Sequence, residues 1–265
     1  MTPRRVCVLV EALSAPGRNP LLATLAGQLA LRQVVMAVFD ATAPWSPSDL
    51  PDADLYLIKG DDPAVLAAAG CLTDRGAPCL NDLEATLRAA DKARIVALLQ
   101  QAGLPVPCTV VAANADAVAS ILDRAGVPAF VKPLRGAHGT GAVALRPGQR
   151  PDGDGPWLIQ ELVPSDSMDV KVYGVGPRTA LRRMRVEPGK VDGVRSPVFE
   201  PDPYIARIAI AAADTCGLIC WGADILLGPD GPVLVDVNAF PGYRSVPAAA
   251  AWVADAVIQA LAADR

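Results

Sequence analysis

The chain has 265 residues, 52% of them hydrophobic and 20% charged, with a formal net charge of −4. That length supports a large core or several lobes, and the acidic balance excludes a general nucleic-acid binder, which needs a dominant basic field. Six scattered cysteines make neither a zinc pattern nor a small disulfide scaffold, and are expected to be reduced in a cytoplasmic protein. The start, MTPRRVCVLVEAL, lacks a small-residue cleavage site and reads as a first strand. No apolar run reaches the ~18 residues of a membrane span.

Taken in order, Val6–Val10 is β-branched and apolar, Asn19-Pro20 opens a helix carried by Leu21–Leu31, and Val34–Phe39 is a second strand. Leu55–Ile58, a helix over Pro63–Ala69 and a short strand Pro78–Leu80 follow. Alternating strand and helix predict a parallel sheet covered by helices over residues 1–81. Helices Asp82–Ala90 and Lys92–Gln101 then lead into a second unit over 82–265. Its small α+β lobe spans about 108–163, with strands CTVV, AFVKP, AVALR and WLIQELV and a helix Asp116–Arg124. A C-terminal lobe over about 164–265 holds strands Asp169–Val175 and Thr179–Val186, a helix Ile205–Cys216, a hairpin and a closing helix Pro247–Ala263. Glu187–Pro203, rich in proline, glycine and charge, reads as a loop over the site.

The hairpin is the stretch GADILLGPDGPVLVDVNAFPGY, from Gly222 to Tyr243. A loop of Pro229, Asp230 and Gly231, with Gly231 in the left-handed position, sets Asp224 opposite Asp236. Alternation puts Asn238 on the face of Asp236. Two carboxylates and an amide oxygen on one face are hard ligands suited to Mg²⁺, which is usually completed by water and substrate phosphates. The competing reading is a hairpin whose acids face water, and a one-residue slip of register would impose it.

Lys132 lies in an apolar strand, where a lysine is costly unless it meets an anion. The following run, Arg135 to Gly141, includes His138 and Gly139, and its glycines let backbone N–H groups approach phosphate oxygens. It is not a Walker loop, because no Gly-Lys-Ser/Thr follows. Gln160 and Glu161 interrupt the apolar strand WLIQELV, read as an edge whose free backbone groups suit a purine. Asp169, Lys171 and Tyr173 alternate onto one face. Asp169 suits a ribose hydroxyl and Lys171 a phosphate, a surface ion pair being the plainer reading. His138, the single histidine, has no acid partner in view for a base role.

The order of these parts resembles the ATP-grasp superfamily over roughly residues 80–263. Asp91-Lys92, Val131-Lys132, Gln160–Val163, Asp169–Lys171, Leu181–Arg183, Ala223–Leu226 and Asp236–Gly242 match the DK, VVK, QEYI, CDIR, ERR, VDIL and EVNASPG pattern of alpha-L-glutamate ligases that modify a ribosomal protein. Ala137–Thr140, Val170–Gly176 and Asp236–Tyr243 are similar to the AHGT, YKVFVVG and DINAFPGY segments of inositol tetrakisphosphate-type kinases, and Lys59 in LIKGDD to their HKLTD.

The resemblance implies an ATP-grasp fold behind an N-terminal α/β lobe, with Mg²⁺-ATP between the small and C-terminal lobes. It implies Lys92 and Lys132 on the phosphates, Glu161, Leu162 and Val163 at adenine, Asp169 near the ribose or Lys171 near the nucleotide, and Asp224, Asp236 and Asn238 on one or two Mg²⁺ ions. Arg183 is assigned the transition-state charge, its neighbour Arg182 solvent or the lid, and Arg244 an anionic substrate in bidentate fashion. Asp236 stands where the ligases carry glutamate, and their Asn-Leu-His-Arg-Gly-Gly run is missing after Arg185, so neither the second ion nor the acceptor carries over.

The expected reaction is carboxylate–amine ligation through an acyl phosphate, on a small-molecule acid and amine. The alternative is a kinase acting on a polyol phosphate such as an inositol phosphate, and a third reading is nucleotide binding without turnover. No membrane or nucleic-acid partner is expected. A homodimer through the first lobe is left open.

Overall fold

The structure is a computed structural model. It describes residues 3–11, 20–135, 141–164, 168–185 and 202–263, except the side chains of residues 168 and 183–185. His138 and Gly139, most of the Glu187–Pro203 segment, the Asn19 cap and the side chain of Arg183 lie outside the described residues.

The first lobe is a parallel sheet of β1 (Arg4–Val10), β2 (Val34–Asp40), β3 (Leu55–Lys59) and β4 (Cys79–Leu80), in the order β2-β1-β3-β4. Its strands are apolar on both faces because both are covered. Val6, Val8, Val10 and Leu57 pack with α1 (Pro20–Ala30), while Cys7, Leu9, Tyr56 and Ile58 pack with α2 (Pro63–Thr73). Asp62 starts α2 by accepting the Ala64 N–H at 2.8 Å, with Pro63 in the first turn. The helix runs four residues beyond the expected Ala69, to Thr73.

α3 (Leu83–Ala90) and α4 (Lys92–Gln101) follow, each capped by an aspartate. The small lobe is an antiparallel sheet of β5 (Thr109–Ala112), β6 (Ala129–Pro133), β7 (Val143–Leu145) and β8 (Trp157–Glu161), in the order β5-β8-β6-β7. One face is packed by Val118 and Leu122 of α5 (Ala115–Ala125). The expected edge strand WLIQE is therefore an interior strand: β8 is hydrogen-bonded on both sides, to β5 and β6.

The C-terminal sheet, also antiparallel, has the order β10-β9-β11-β12. It is built from β9 (Met168–Val175), β10 (Arg178–Arg185), β11 (Cys220–Gly228) and β12 (Gly231–Ala239). One face, with Val170, Val172, Leu181, Ile225 and Val237, packs against α4 and α6 (Pro203–Cys216). Gly174 makes this packing possible, since a Cβ there would fall 2.1 Å from the Trp221 ring. The opposite face carries the charges described below.

The first lobe is not separate from the rest. The closing helix α7 (Ala249–Ala263) packs on α1 and shares one core with the parallel sheet, Phe240 and Tyr243. Asn81, fully buried at the end of that lobe, clamps the start of β11. Its Nδ2 donates to the Cys220 carbonyl at 2.8 Å, and its Oδ1 accepts the Ile219 and Cys220 N–H groups, both at 2.8 Å.

Candidate active site

Asp224 pairs directly with Asp236, but the turn differs from the expected one. Gly228 pairs with Gly231, so the loop has two residues, Pro229 and Asp230, and Gly231 takes φ +120° as the first residue of β12. Ile225 pairs with Leu234, which leaves Val235 as an extra residue before the Asp224–Asp236 pair. This bulge restores the register that a longer loop would have set. It also releases the Val235 carbonyl from the ladder, and Lys132 Nζ of β6 donates to it at 2.9 Å. The bulge thus joins the two antiparallel sheets.

Lys132 is 8% exposed. Burial holds its ammonium below the usual lysine range, with Lys92 adding to the effect and Asp236 and Asp224 opposing it. Lys92 reaches the same cleft from the first turn of α4. Asp91 caps that turn by accepting the Ala93 and Arg94 N–H groups at 3.1 and 3.2 Å, and the Lys92 N–H donates to the Leu134 carbonyl at 3.4 Å. Lys92, Lys132, Val235 and Asp236 line this cleft together with apolar side chains of α4.

The strand register extends the acid pair into a row across all four strands. Arg182 pairs with Lys171, Lys171 with Asp224, and Asp224 with Asp236. Lys171 Nζ donates to Asp224 Oδ2 at 2.6 Å. Burial works to lower Lys171, but Asp224, through charge and hydrogen bond, and Asp169 and Tyr173 together hold it above the usual lysine range. Burial raises Asp236, and the facing Asp224 raises it further, against Lys132, Lys92 and Lys171. Burial followed by the Asp224 charge pushes Asp169 up to about 6, with Lys171 opposing. Asn238 pairs with Gly222, one step further on the same face. A Cβ on Gly222 would meet Pro241 at 3.2 Å, so the Phe240-Pro241-Gly242 turn folds closely over this end of the sheet.

Arg182 corrects the sequence reading. It was expected in solvent or on the lid, with Arg183 at the chemistry, yet Arg182 is 3% exposed and belongs to the row. Its Nη1 donates to the Arg244 carbonyl at 2.8 Å, and its buried Nε has no hydrogen-bond partner among the described residues. Arg183 pairs with Val170, a fully buried member of the apolar core. The reason is alternation: successive residues of β10 fall on opposite faces, and pairing with Lys171 selects Arg182 for the charged one.

The hinge after β8 is tied to the start of the small lobe. The Glu161 N–H donates to the Cys108 carbonyl at 3.1 Å, and its carboxylate accepts the Cys108 N–H at 2.9 Å, so its polar groups are engaged inside the small lobe. The Gln160 side chain is buried and donates to Thr109 Oγ1 at 3.1 Å. Leu162, 40% exposed, and the half-buried Val163 continue toward the C-terminal sheet.

Sequence reasoning gave Lys59 no role beyond a resemblance. The structure buries it to 5% exposure at the end of β3, its Nζ 5.3 Å from the Phe240 ring centroid and 3.4 Å from the Phe240 carbonyl. A lysine closing an apolar strand was the available signal. Among the described residues, no three His, Cys, Asp or Glu side chains cluster as a metal set. The oxygen donors brought together are therefore two carboxylates and the Asn238 amide.

A small antiparallel lobe and a larger antiparallel sheet, joined by a buried lysine and facing paired acids, define a two-lobed nucleotide-grasping architecture. The ATP-grasp domain model matches residues 89–242, more than half of the chain, which belongs to that family. The chain is 27% identical over 190 residues to a probable alpha-L-glutamate ligase 2 of Hahella chejuensis, a match covering 66% of this chain and 62% of that protein. It is 30% identical over 183 residues to a ribosomal protein bS6–L-glutamate ligase of Escherichia coli, covering 63% and 61%. The matched segment thus spans about three fifths of these relatives.

Among solved structures, a RimK domain protein ATP-grasp from Sphaerobacter thermophilus superposes with TM-score 0.73 at 20% identity, over 95% of this chain and 98% of that one. The D-cycloserine synthetase DcsG gives 0.80 at 16%, over 97% and 99%. The D-alanine–D-alanine ligase of Bacillus anthracis complexed with ATP gives 0.71 at 16%, over 98% of each chain. These likenesses bear out the expected fold. No helix among the described residues is long and apolar enough to cross a membrane.

Proposed function

We propose that this chain is an ATP-dependent carboxylate–amine ligase, working with Mg²⁺ on a small-molecule or peptide acid and an amine. The observation that carries the reading is the row Arg182–Lys171–Asp224–Asp236 across one sheet, with Lys132 closing on it from the other. Cations that bind phosphates and acids that bind a metal are separated by single strand spacings, as a polyphosphate bridged by a metal requires. Both curated relatives and the Bacillus anthracis structure described above are named as ligases, and DcsG is named as a synthetase.

In this reading Lys132 and Lys92 hold the phosphates, and the Glu161–Val163 hinge borders adenine, with Leu162 and Val163 supplying the apolar contact. Asp169 serves the ribose or Lys171 a phosphate, and His138 and Gly139 keep the nucleotide-binding role that the sequence pattern gives them. The donor set fits Mg²⁺: two carboxylates face each other, and Asp236 is raised by burial and by its neighbour, an arrangement that a cation relieves. A cation here shares Asp224 with the Lys171 ammonium. When bound, Mg²⁺ supplies the positive charge that the phosphoryl oxygens need in transfer.

The substrate carboxylate oxygen attacks the γ-phosphorus and the bond to the β-phosphate oxygen breaks, giving an acyl phosphate and ADP. The amine nitrogen then attacks the acyl carbon. The C–O bond to phosphate breaks, inorganic phosphate leaves, and the nitrogen gives up one proton. Lys132 and Lys92 orient the triphosphate for the first step. Arg182, rather than Arg183, is placed to meet charge in both steps, and the Arg244 side chain meets an anionic acceptor. Phosphorus NMR of the protein with Mg²⁺-ATP and pooled acids and amines tests this. ADP with an equal amount of inorganic phosphate, formed only when acid and amine are both present, is expected; a phosphomonoester formed on a polyol pool would replace the ligase with the kinase.

A further inference from the structure

β2 ends the parallel sheet of the first lobe and pairs on one side only, with β1. Just beyond it, the Ala41 N–H donates to the Val10 carbonyl at 2.9 Å. In a parallel strand the N–H and C=O of one residue point to the same side, and successive residues alternate. Val35, Ala37 and Phe39 therefore bond to β1. The N–H and C=O groups of Val34, Met36, Val38 and Asp40 face outward, with no strand among the described residues to receive them.

Folded proteins blunt such an edge with lysine, proline, a bulge or a covering segment. The edge VVMAVFD has neither lysine nor proline, runs beside β1 over seven residues without a register shift, and bears one charge, Asp40, at its end. Val35 is 51% exposed and Leu31, just before the strand, 80%. α1 flanks the edge, where its Ala26 and Ala30 form a groove with Val34, Val35 and Met36. This helix has no charged residue, and Ala23, Thr24, Gly27 and Ala30 are its exposed positions.

We propose that two copies of this chain pair through β2, antiparallel about a twofold axis at Ala37, and join their four-stranded sheets into one. In that register Met36 lies opposite Val38 of the other copy, and Val34 opposite Asp40. Every outward group is then used, since the two residues of each such pair exchange both hydrogen bonds. Moving the axis to Met36 or Val38 would leave an outward residue of the strand without a strand partner. On the other face Val35 meets Phe39, a β-branched and aromatic pair, and Ala37 meets itself. Charge favours the same direction. Arg32 precedes the strand and Asp40 ends it, so the twofold sets each Arg32 near the Asp40 of the other copy, while a parallel pairing would set like charges together. The edge is roughly 23 Å long at 3.3 Å per residue and, with one helix layer on it, roughly 20 Å tall, so about 1,000 Å² is covered in total, the lower bound of a specific interface. The pairing needs no part of the ligase chemistry, because the paired acids lie on the C-terminal sheet.

Sedimentation equilibrium of the full chain is the test. The wild type should pass from monomer to dimer between about 1 and 100 µM, as suits an interface of this size. Ala37 is exposed, so its replacement spares the core. Ala37→Glu and Ala37→Lys should each weaken the dimer about tenfold or more, because like charges then stand opposite each other at the axis. An equimolar mixture of the two should dimerise again, a rescue open only to a residue that meets its own counterpart. Oxidised Ala37→Cys should give a covalent dimer above the background of the wild type, whose Cys108 is also exposed; Cα atoms of such a pair lie about 4.5 Å apart, within disulfide reach.

A monomer at every concentration overturns the proposal. A dimer of undiminished strength in both charged variants overturns the pairing through β2. Weakening with no rescue in the mixture, and no covalent dimer above background, overturns the register. Assemblies that keep growing beyond two copies overturn the closed twofold.

Discussion

Replacing Lys132 with methionine separates a structural role for this lysine from a phosphate-binding one. The side chain is 8% exposed, and its hydrogen bond among the described residues, 2.9 Å to the bulge carbonyl of Val235, joins the two antiparallel sheets. Losing a hydrogen bond from a charged donor costs about 1.5–3 kcal/mol. In the free protein that loss is offset, because burial already holds the ammonium below its ordinary range and methionine removes the desolvation cost. The net change in unfolding free energy should be within about 1 kcal/mol, read from urea melts. With Mg²⁺-ATP no such offset exists, since the phosphates meet an apolar group. The same 1.5–3 kcal/mol then appears in binding, weakening Kd by roughly 10- to 150-fold. Calorimetric titration of both proteins with Mg²⁺-ATP measures it. A Kd changed less than about threefold, or a loss of stability exceeding the loss of affinity, would refute the reasoning.

Arg182→Lys should lower kcat by about tenfold or more while leaving the KM for ATP nearly unchanged, because a lysine keeps charge but loses the planar fork that reaches the Arg244 carbonyl; steady-state kinetics decide it, and an effect confined to KM would count against a transition-state role. Gly174→Ala should destabilise the fold by about 3 kcal/mol or more, since its Cβ would lie 2.1 Å from a Trp221 ring wedged in the core; thermal melts check this. Asp169 has a folded-state pKa of about 6, above the 3.8 of the free side chain, so the folded protein binds the extra proton more readily between those values. Its stabilising contribution is therefore full below about pH 4 and is lost as pH rises toward 6, amounting to about 2 kcal/mol after allowance for partial exposure. Asp169→Asn should flatten that part of the stability–pH curve, and an unchanged slope would remove the assignment.

The sequence made the acid pair legible because two errors in a hairpin can cancel. The loop is one residue shorter than the turn chemistry suggested, but the bulge at Val235 restores the pairing of Asp224 with Asp236. A bulge carries no composition signal here, since valine suits a regular strand equally well. The burial of Arg182 was readable from the Val175-Gly176-Pro177-Arg178 turn. A two-residue loop there fixes Val175 opposite Arg178, and hence Arg182 opposite Lys171. The interior place of β8 was not readable, because apolar alternation reports burial and not which strands flank it. Likewise, nothing local shows that α7, at the far end of the chain, completes the core of the first lobe, or that Asn81 clamps β11. Those are products of packing between segments distant in the chain.

The central claim is that the paired acids hold a metal that bridges ATP to this sheet. Calorimetric titration of ATP into the wild-type chain and Asp236→Asn, each with Mg²⁺ and with chelator, tests it most directly. The account predicts tight binding only for wild type with Mg²⁺, and weak, metal-independent binding for the variant. ATP binding of equal strength in all four titrations would contradict it.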